Sequence, residues 1–173
     1  VADTSALVSL GTVADRNRSP LDYLLDEHTV AVPEQVIEEL KQTAAYDDVS
    51  GRGAQNALDR RANFEIHSVA LDETFPLDDG ENAAVTLAND LEATQLLCDE
   101  FNQLALVHAS LTSARLVTTP TLLVLLVRRE VIPREDADEI LSDISEARNW
   151  SENTYVNRAR ATLTQQSNSG SPR

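Results

Sequence analysis

Apolar and polar positions along this chain follow two alternating periods. The runs "TVAVP", "FEIHSVAL", "EATQLLCD" and "ARLVTT" read as strands, the second by its alternation and the others as short, largely buried segments. Between and around them, apolar residues recur three and four apart and predict helices. These are "DTSALVSLG", closed by Gly11; "SPLDYLLDEH", with Ser19 as cap and Pro20 at its first position; and "PEQVIEELKQTAA", opened by Pro33. The stretch "YDDVSGRG" reads as loop and "AQNALDRRA" as a short helix, while "GENAAVTLAND", "EFNQLALVHASL" and "PTLLVLLVRREV" read as further helices. Val1 and Ala2 read as the end of a buried strand. Strands alternating with helices predict an α/β fold in three layers, with a central parallel sheet of about five strands and helices on both faces.

The closing third, "PREDADEILSDISEARNWSENTYVNRARATL", reads as two more helices, one starting at Pro133 and the other capped by Ser151. A chain of 173 residues with 42% hydrophobic composition supports one good-sized core. The expected organisation is a single domain over residues 1–164, with a core over 1–132 and C-terminal helices over 133–164. The polar tail 165–173 is expected to be disordered. The longest apolar run, in "TPTLLVLLVRRE", is cut by Arg128 and Arg129 well short of a membrane span. No secretory signal is visible, and the lone cysteine, Cys98, makes a cytoplasmic setting the default expectation. His28, His67 and His108 are scattered and Cys98 is the single cysteine, which leaves neither a disulfide framework nor a Cys/His zinc site.

Charge changes the picture more. There are 29 acidic residues against 14 basic ones, a net charge of -15, and of the basic residues only Lys41 is lysine. Such a balance ordinarily argues against a polyanionic partner. The acids are spread over nearly every segment, however, and an acidic, lysine-poor surface resembles that of proteins working in molar salt. There the Debye length falls to ~3 Å and diffuse surface charge is a weak guide to partners.

In parallel α/β sheets, ligands bind beyond the carboxyl ends of the strands. Asp3 and Asp99 each sit where an apolar run gives way to a helix. Glu39 lies in the helix after "TVAVP", and Glu81 opens the helix before "TQLLC". Each has a plainer reading: Asp3 and Asp99 as helix caps, Glu39 as one acid of a solvated face with Glu34 and Glu38, and Glu81 as a first-turn carboxylate favoured by the helix dipole. Brought together, the four would repel and raise one another's pKa values unless a divalent cation neutralised them. Oxygen-only ligands suit Mg²⁺ or Mn²⁺.

The succession "DTSAL", "VPEQVIEEL", "DDGENAAVTLA" and "LLCDE", followed by a strand, a Thr-containing turn and "LLVLLVRREVI", resembles the PIN domain family of metal-dependent nucleases. The likeness runs from Val1 to about Ile132, and "ARNWSENTYVNRARATL" is similar to the terminal helix of a prokaryotic PIN subgroup that includes VapC-type toxins. The resemblance implies catalytic positions at Asp3, Glu39 (with Glu38 as the competing choice), Glu81 and Asp99. It places metal ligands at Asp3, Glu81 and Asp99, with Ser5 in support. Asn102, one turn past Asp99, is read as a second supporting residue. After the fourth acid, related chains often carry a second Asp and an Arg. This chain has Glu100 and Asn102 in "DEFNQLA", with no arginine. The implied activity is Mg²⁺- or Mn²⁺-dependent cleavage of RNA, with the toxin of a toxin-antitoxin pair as one role and an antitoxin or a second copy as partners. A catalytically silent binding module is the alternative.

Overall fold

The structure, a computed structural model, describes residues 1–165. Two parallel ribbons form its sheet: β1 (Val30–Pro33) beside β2 (Phe64–His67), and β3 (Gln95–Leu97) beside β4 (Arg115–Val117). Residues 1–3 run between them. The Ala2 amide donates to the Ala31 carbonyl at 3.2 Å, while the Asp3 amide donates to Leu97 and the Leu97 amide to Val1 at 3.0 and 2.9 Å. The single five-stranded sheet expected from the sequence is therefore present as two short ribbons linked through a three-residue segment, whose one ladder contact is the bridge between Ala2 and Leu97.

The sheet is apolar on both faces. Leu97 and Val117 point into one core, whereas Leu96 and Cys98 point into another; successive side chains on a strand face opposite sides. Helices α1 (Thr4–Gly11), α3 (Glu34–Ala44), α4 (Val49–Asp59), α7 (Thr119–Arg128), α8 (Arg134–Ala147) and α9 (Thr154–Gln165) build the larger core, joined by α2 (Pro20–Glu27). On the other face lie α5 (Asp79–Asp90) and α6 (Leu104–Ser110). This is a mixed α/β fold in three layers.

Several boundaries differ from the sequence reading, each for a local reason. The "SGRG" stretch is helical: Asp48 caps α4 by accepting from the Gly51 amide at 2.7 Å. Its glycines permit close packing rather than a turn, since a Cβ on Gly53 would come within 2.6 Å of the Val8 carbonyl oxygen of α1. The helix expected from Glu100 starts only at Leu104, because residues 99–103 form a turn in which the Phe101 amide donates to the Asp99 carbonyl. Asn153, not Ser151, caps α9, accepting from the Tyr155 and Val156 amides. The "FEIHSVAL" strand ends at His67. Ser19 and Pro20 open α2 as expected. Helix α9 includes Gln165; the rest of the tail expected to be disordered lies outside the described residues. Among the described residues, no helix is long and apolar enough to cross a membrane.

Candidate functional site

Parallel strands all end at the same edge of a sheet, so the helices that follow them begin there as well. Asp3 follows the central segment and caps α1, accepting from the Ala6 amide at 3.0 Å. The capping reading is therefore correct, and it does not compete with a site: Asp3 is 3% exposed, and Asp99, just past β3, is 4% exposed. Ser5 ties the two together. Its hydroxyl donates to the Asp3 carboxylate at 2.8 Å and accepts from the Asp99 amide at 2.9 Å. Asp99 Oδ1 accepts from the Thr119 amide at the start of α7, at 2.7 Å. The other oxygen, Oδ2, is buried with no partner.

Glu81 stands at the third position of α5, whose cap Asp78 accepts from the Glu81 amide at 2.9 Å. A carboxylate serving only the helix dipole would lie in solvent. Glu81 is 6% exposed, and its Oε2 has no partner. Glu39 reaches the same edge from α3, where it accepts from the hydroxyl of Thr4, the residue after Asp3. Its neighbour Glu38 is exposed and pairs with Lys41 at 2.6 Å, so of the two glutamates it is Glu39 that faces the other acids. Gly80 makes room for it. A Cβ at that position would fall on the Glu39 carboxylate. Gly80 is helical and needs no special backbone conformation: no glycine among the described residues has positive φ.

Electrostatics bind these groups into one unit. Burial, with Asp99 adding repulsion, raises the Asp3 carboxyl from 3.8 to about 7. Glu81 is pushed up to about 7 by burial and by Asp78, Glu100 and Glu39. Asp99 and Glu39 are also raised, chiefly by burial. Glu100 belongs to the same group, raised by burial and by Asp78, Asp99 and Glu39. The Arg148 guanidinium, at the end of α8, counters the burial of both Asp99 and Glu100. Asn102 is exposed in the turn and makes no hydrogen bond to any of these acids.

The sequence reading left out Asp78, Thr119 and Arg148, and it named Glu100 beside Asp99 without assigning it to the site. Arg148 had no local signal, because it reaches the site from a distant helix and supplies the positive charge that "DEFNQLA" lacks.

The donor set is made of hard oxygens, two of them buried without partners, and this suits a divalent cation better than a soft or redox metal. Among the described residues, no three His, Cys, Asp or Glu side chains stand close enough to enclose one ion. Mg²⁺ does not need such a cage, since it keeps several waters and takes one or two carboxylates, completing its shell with substrate phosphate.

A family model described as a PIN domain matches residues 1–165, a range that contains every acid named above. No curated protein is similar enough to the chain to count as a match. PIN domains are generally nucleases acting on RNA or DNA, and they typically bind divalent metals such as Mg²⁺. With the acids gathered at the carboxyl edge and the match running through all the described residues, this chain belongs to the PIN domain family.

Proposed function

We propose that the protein is a Mg²⁺- or Mn²⁺-dependent endoribonuclease with Asp3, Glu39, Glu81 and Asp99 as its catalytic acids. One observation carries the reading: Asp99 Oδ2, just past β3, and Glu81 Oε2, in the first turn of α5, are buried with no hydrogen-bond partner. Unsatisfied buried polar atoms are costly, and they persist where a ligand completes them. Asp3, Glu81 and Asp99 are the residues from which the cation would draw its one or two carboxylate ligands. Bound there, it would supply Lewis-acid stabilisation of charge on the scissile phosphate and ease deprotonation of the attacking water.

The chain's own groups prepare this edge. Ser5 fixes the Asp3 carboxylate relative to the Asp99 backbone, and the Thr119 amide orients Asp99 by occupying Oδ1 while Oδ2 stays unpaired. Thr4 holds Glu39. Glu81, whose carboxyl is raised to about 7 in the metal-free protein by burial and its acidic neighbours, would give up its proton when a cation binds. The test is total RNA incubated with the purified protein in concentrated KCl with Mn²⁺ or Mg²⁺. Fragmentation that EDTA stops is expected; intact RNA, or cleavage indifferent to EDTA, would contradict the reading.

Gly80→Ala separates geometry from stability. Alanine favours a helix interior by ~1 kcal/mol, and the atoms it meets are the movable end of Glu39, so stability should change by no more than ~1 kcal/mol. Cleavage should fall on the order of 100-fold as the Glu39 carboxylate is displaced. Thermal melting and a cleavage assay on the same preparation check both halves.

The acidic surface is read as an adaptation to high salt. Raising KCl from ~0.1 M to a few molar shortens the Debye length from ~10 Å to under ~3 Å and should raise the melting midpoint, because repulsion among the net -15 charges is screened. A midpoint that stays level or falls would remove this part of the account.

A further inference from the structure

Cleaving a single strand requires a grip on the nucleotides beside the scissile phosphate, and an acidic edge supplies none. The described residues place aromatic rings next to it. Phe101 lies two residues past Asp99, and its amide donates to the Asp99 carbonyl at 2.9 Å. The Tyr155 ring lies nearly parallel to that of Phe101, with an interplanar angle of 23° and centroids 5.2 Å apart. Trp150 meets Phe101 edge to face at 4.8 Å. Aromatic residues make up only 4% of the chain, so three meeting at one place is not a product of abundance.

Burial separates their roles. Trp150 is 8% exposed and holds the cluster to the core, whereas Tyr155 is 38% exposed even though Phe101 backs its ring. Arg148 completes the patch. Its guanidinium carbon lies 5.9 Å from the centre of the Trp150 ring, and its one hydrogen bond among the described residues is a long one, 3.5 Å to the Ser50 hydroxyl. Arg148 Nε is buried without a partner.

We infer that Tyr155, backed by Phe101 and in one cluster with Trp150 and Arg148, is a stacking platform for a base of single-stranded RNA next to the scissile phosphate. The inference rests on the nuclease reading. An aromatic face accepts any base, and an arginine beside it takes the neighbouring phosphate, so the site should favour single strands over duplexes and purines over pyrimidines. A patch serving only to pin α9 to the body would show neither preference.

Binding is measured by fluorescence anisotropy of labelled twelve-nucleotide oligoadenylate, oligouridylate and a duplex of the same length. The protein is full-length, in EDTA at one salt concentration. The parent should bind oligoadenylate several-fold more tightly than oligouridylate, and the duplex most weakly, with a change in Trp150 fluorescence. Tyr155→Ala should weaken oligoadenylate binding roughly 10-fold and erase the preference. Tyr155→Leu, which retains bulk against Phe101, should do the same, while Tyr155→Phe should bind as the parent does. Equal binding by parent and Tyr155→Leu, duplex bound as well as single strand, or no binding by the parent would overturn the platform. Cleavage of oligoadenylate with Mn²⁺ is scored separately. Tyrosine-dependent binding without cleavage removes the nuclease and keeps the platform; cleavage with unchanged KM in Tyr155→Leu does the reverse.

Discussion

Asp3→Asn is expected to lower metal-dependent RNA cleavage by more than ~100-fold while making the metal-free protein more stable at pH 8. The loss follows from removing a formal negative charge from the ligand set of a hard cation. The gain follows from burial. A carboxyl 3% exposed and raised to about 7 is ionised at pH 8 against the preference of its surroundings. Raising it from 3.8 to about 7 corresponds to about 4 kcal/mol between its two protonation states. Asparagine keeps the cap to the Ala6 amide, since Asn and Asp cap comparably. For a chain of this size each kcal/mol moves the melting midpoint by about 2–4 °C, so a rise of several degrees is expected. Cleavage assays with Mn²⁺ and metal-free melting curves at pH 8 check the two effects. Parental cleavage by the variant would remove Asp3 from the site and favour a binding module without catalysis.

The metal-free protein should lose stability as pH rises from about 4 to about 7, and divalent cations should restore it only at the upper end. The folded state holds the protons of Asp3 and Glu81 up to about 7, whereas in the unfolded chain they leave near the ordinary values of 3.8 and 4.5. Between those limits the folded state binds more protons, so raising the pH favours unfolding. The contribution is complete below the unfolded values and gone above the folded ones. Asp99, Glu39 and Glu100 are shifted the same way. Asp22, held down by Arg60, acts in the opposite sense, but its contribution is lost only as the pH falls below the ordinary carboxylate range. A cation at ~100 times its Kd adds about 2.7 kcal/mol. At pH 8 that should appear as a clear rise in melting midpoint, and at pH 5, where Asp3 and Glu81 keep their protons, as little or none. Equal shifts at both pH values would place the cation on exposed surface acids instead.

The parts of this site that the sequence made legible are those set by local rules. A strand end followed by a helix start places a carboxylate at the sheet edge, and that alone marked Asp3 and Asp99. What stayed hidden depends on packing between distant segments. Gly51 and Gly53 look like a turn in one dimension, yet Gly53 is where α4 presses against α1. Nothing in one dimension marks Gly80, yet its missing side chain is the space Glu39 fills. Arg148 comes from the far end of α8 and acts on Asp99 and Glu100 through the fold. Asn102 was misplaced because the helix expected from Glu100 starts four residues later, at Leu104, leaving Asn102 exposed in a turn. The expected sheet was recognisable from its apolar runs, but run lengths do not show that the central segment carries only one ladder contact.

Whether Asp99 and one or both of Asp3 and Glu81 share a divalent cation is decided by anomalous scattering from a crystal of the protein grown at pH 8 with Mn²⁺, recorded at the manganese absorption edge. The expected result is a peak at the carboxyl edge of the sheet, with Asp99 Oδ2 and at least one oxygen of Asp3 or Glu81 within coordination distance. An empty edge in crystals showing manganese elsewhere on the acidic surface would contradict it.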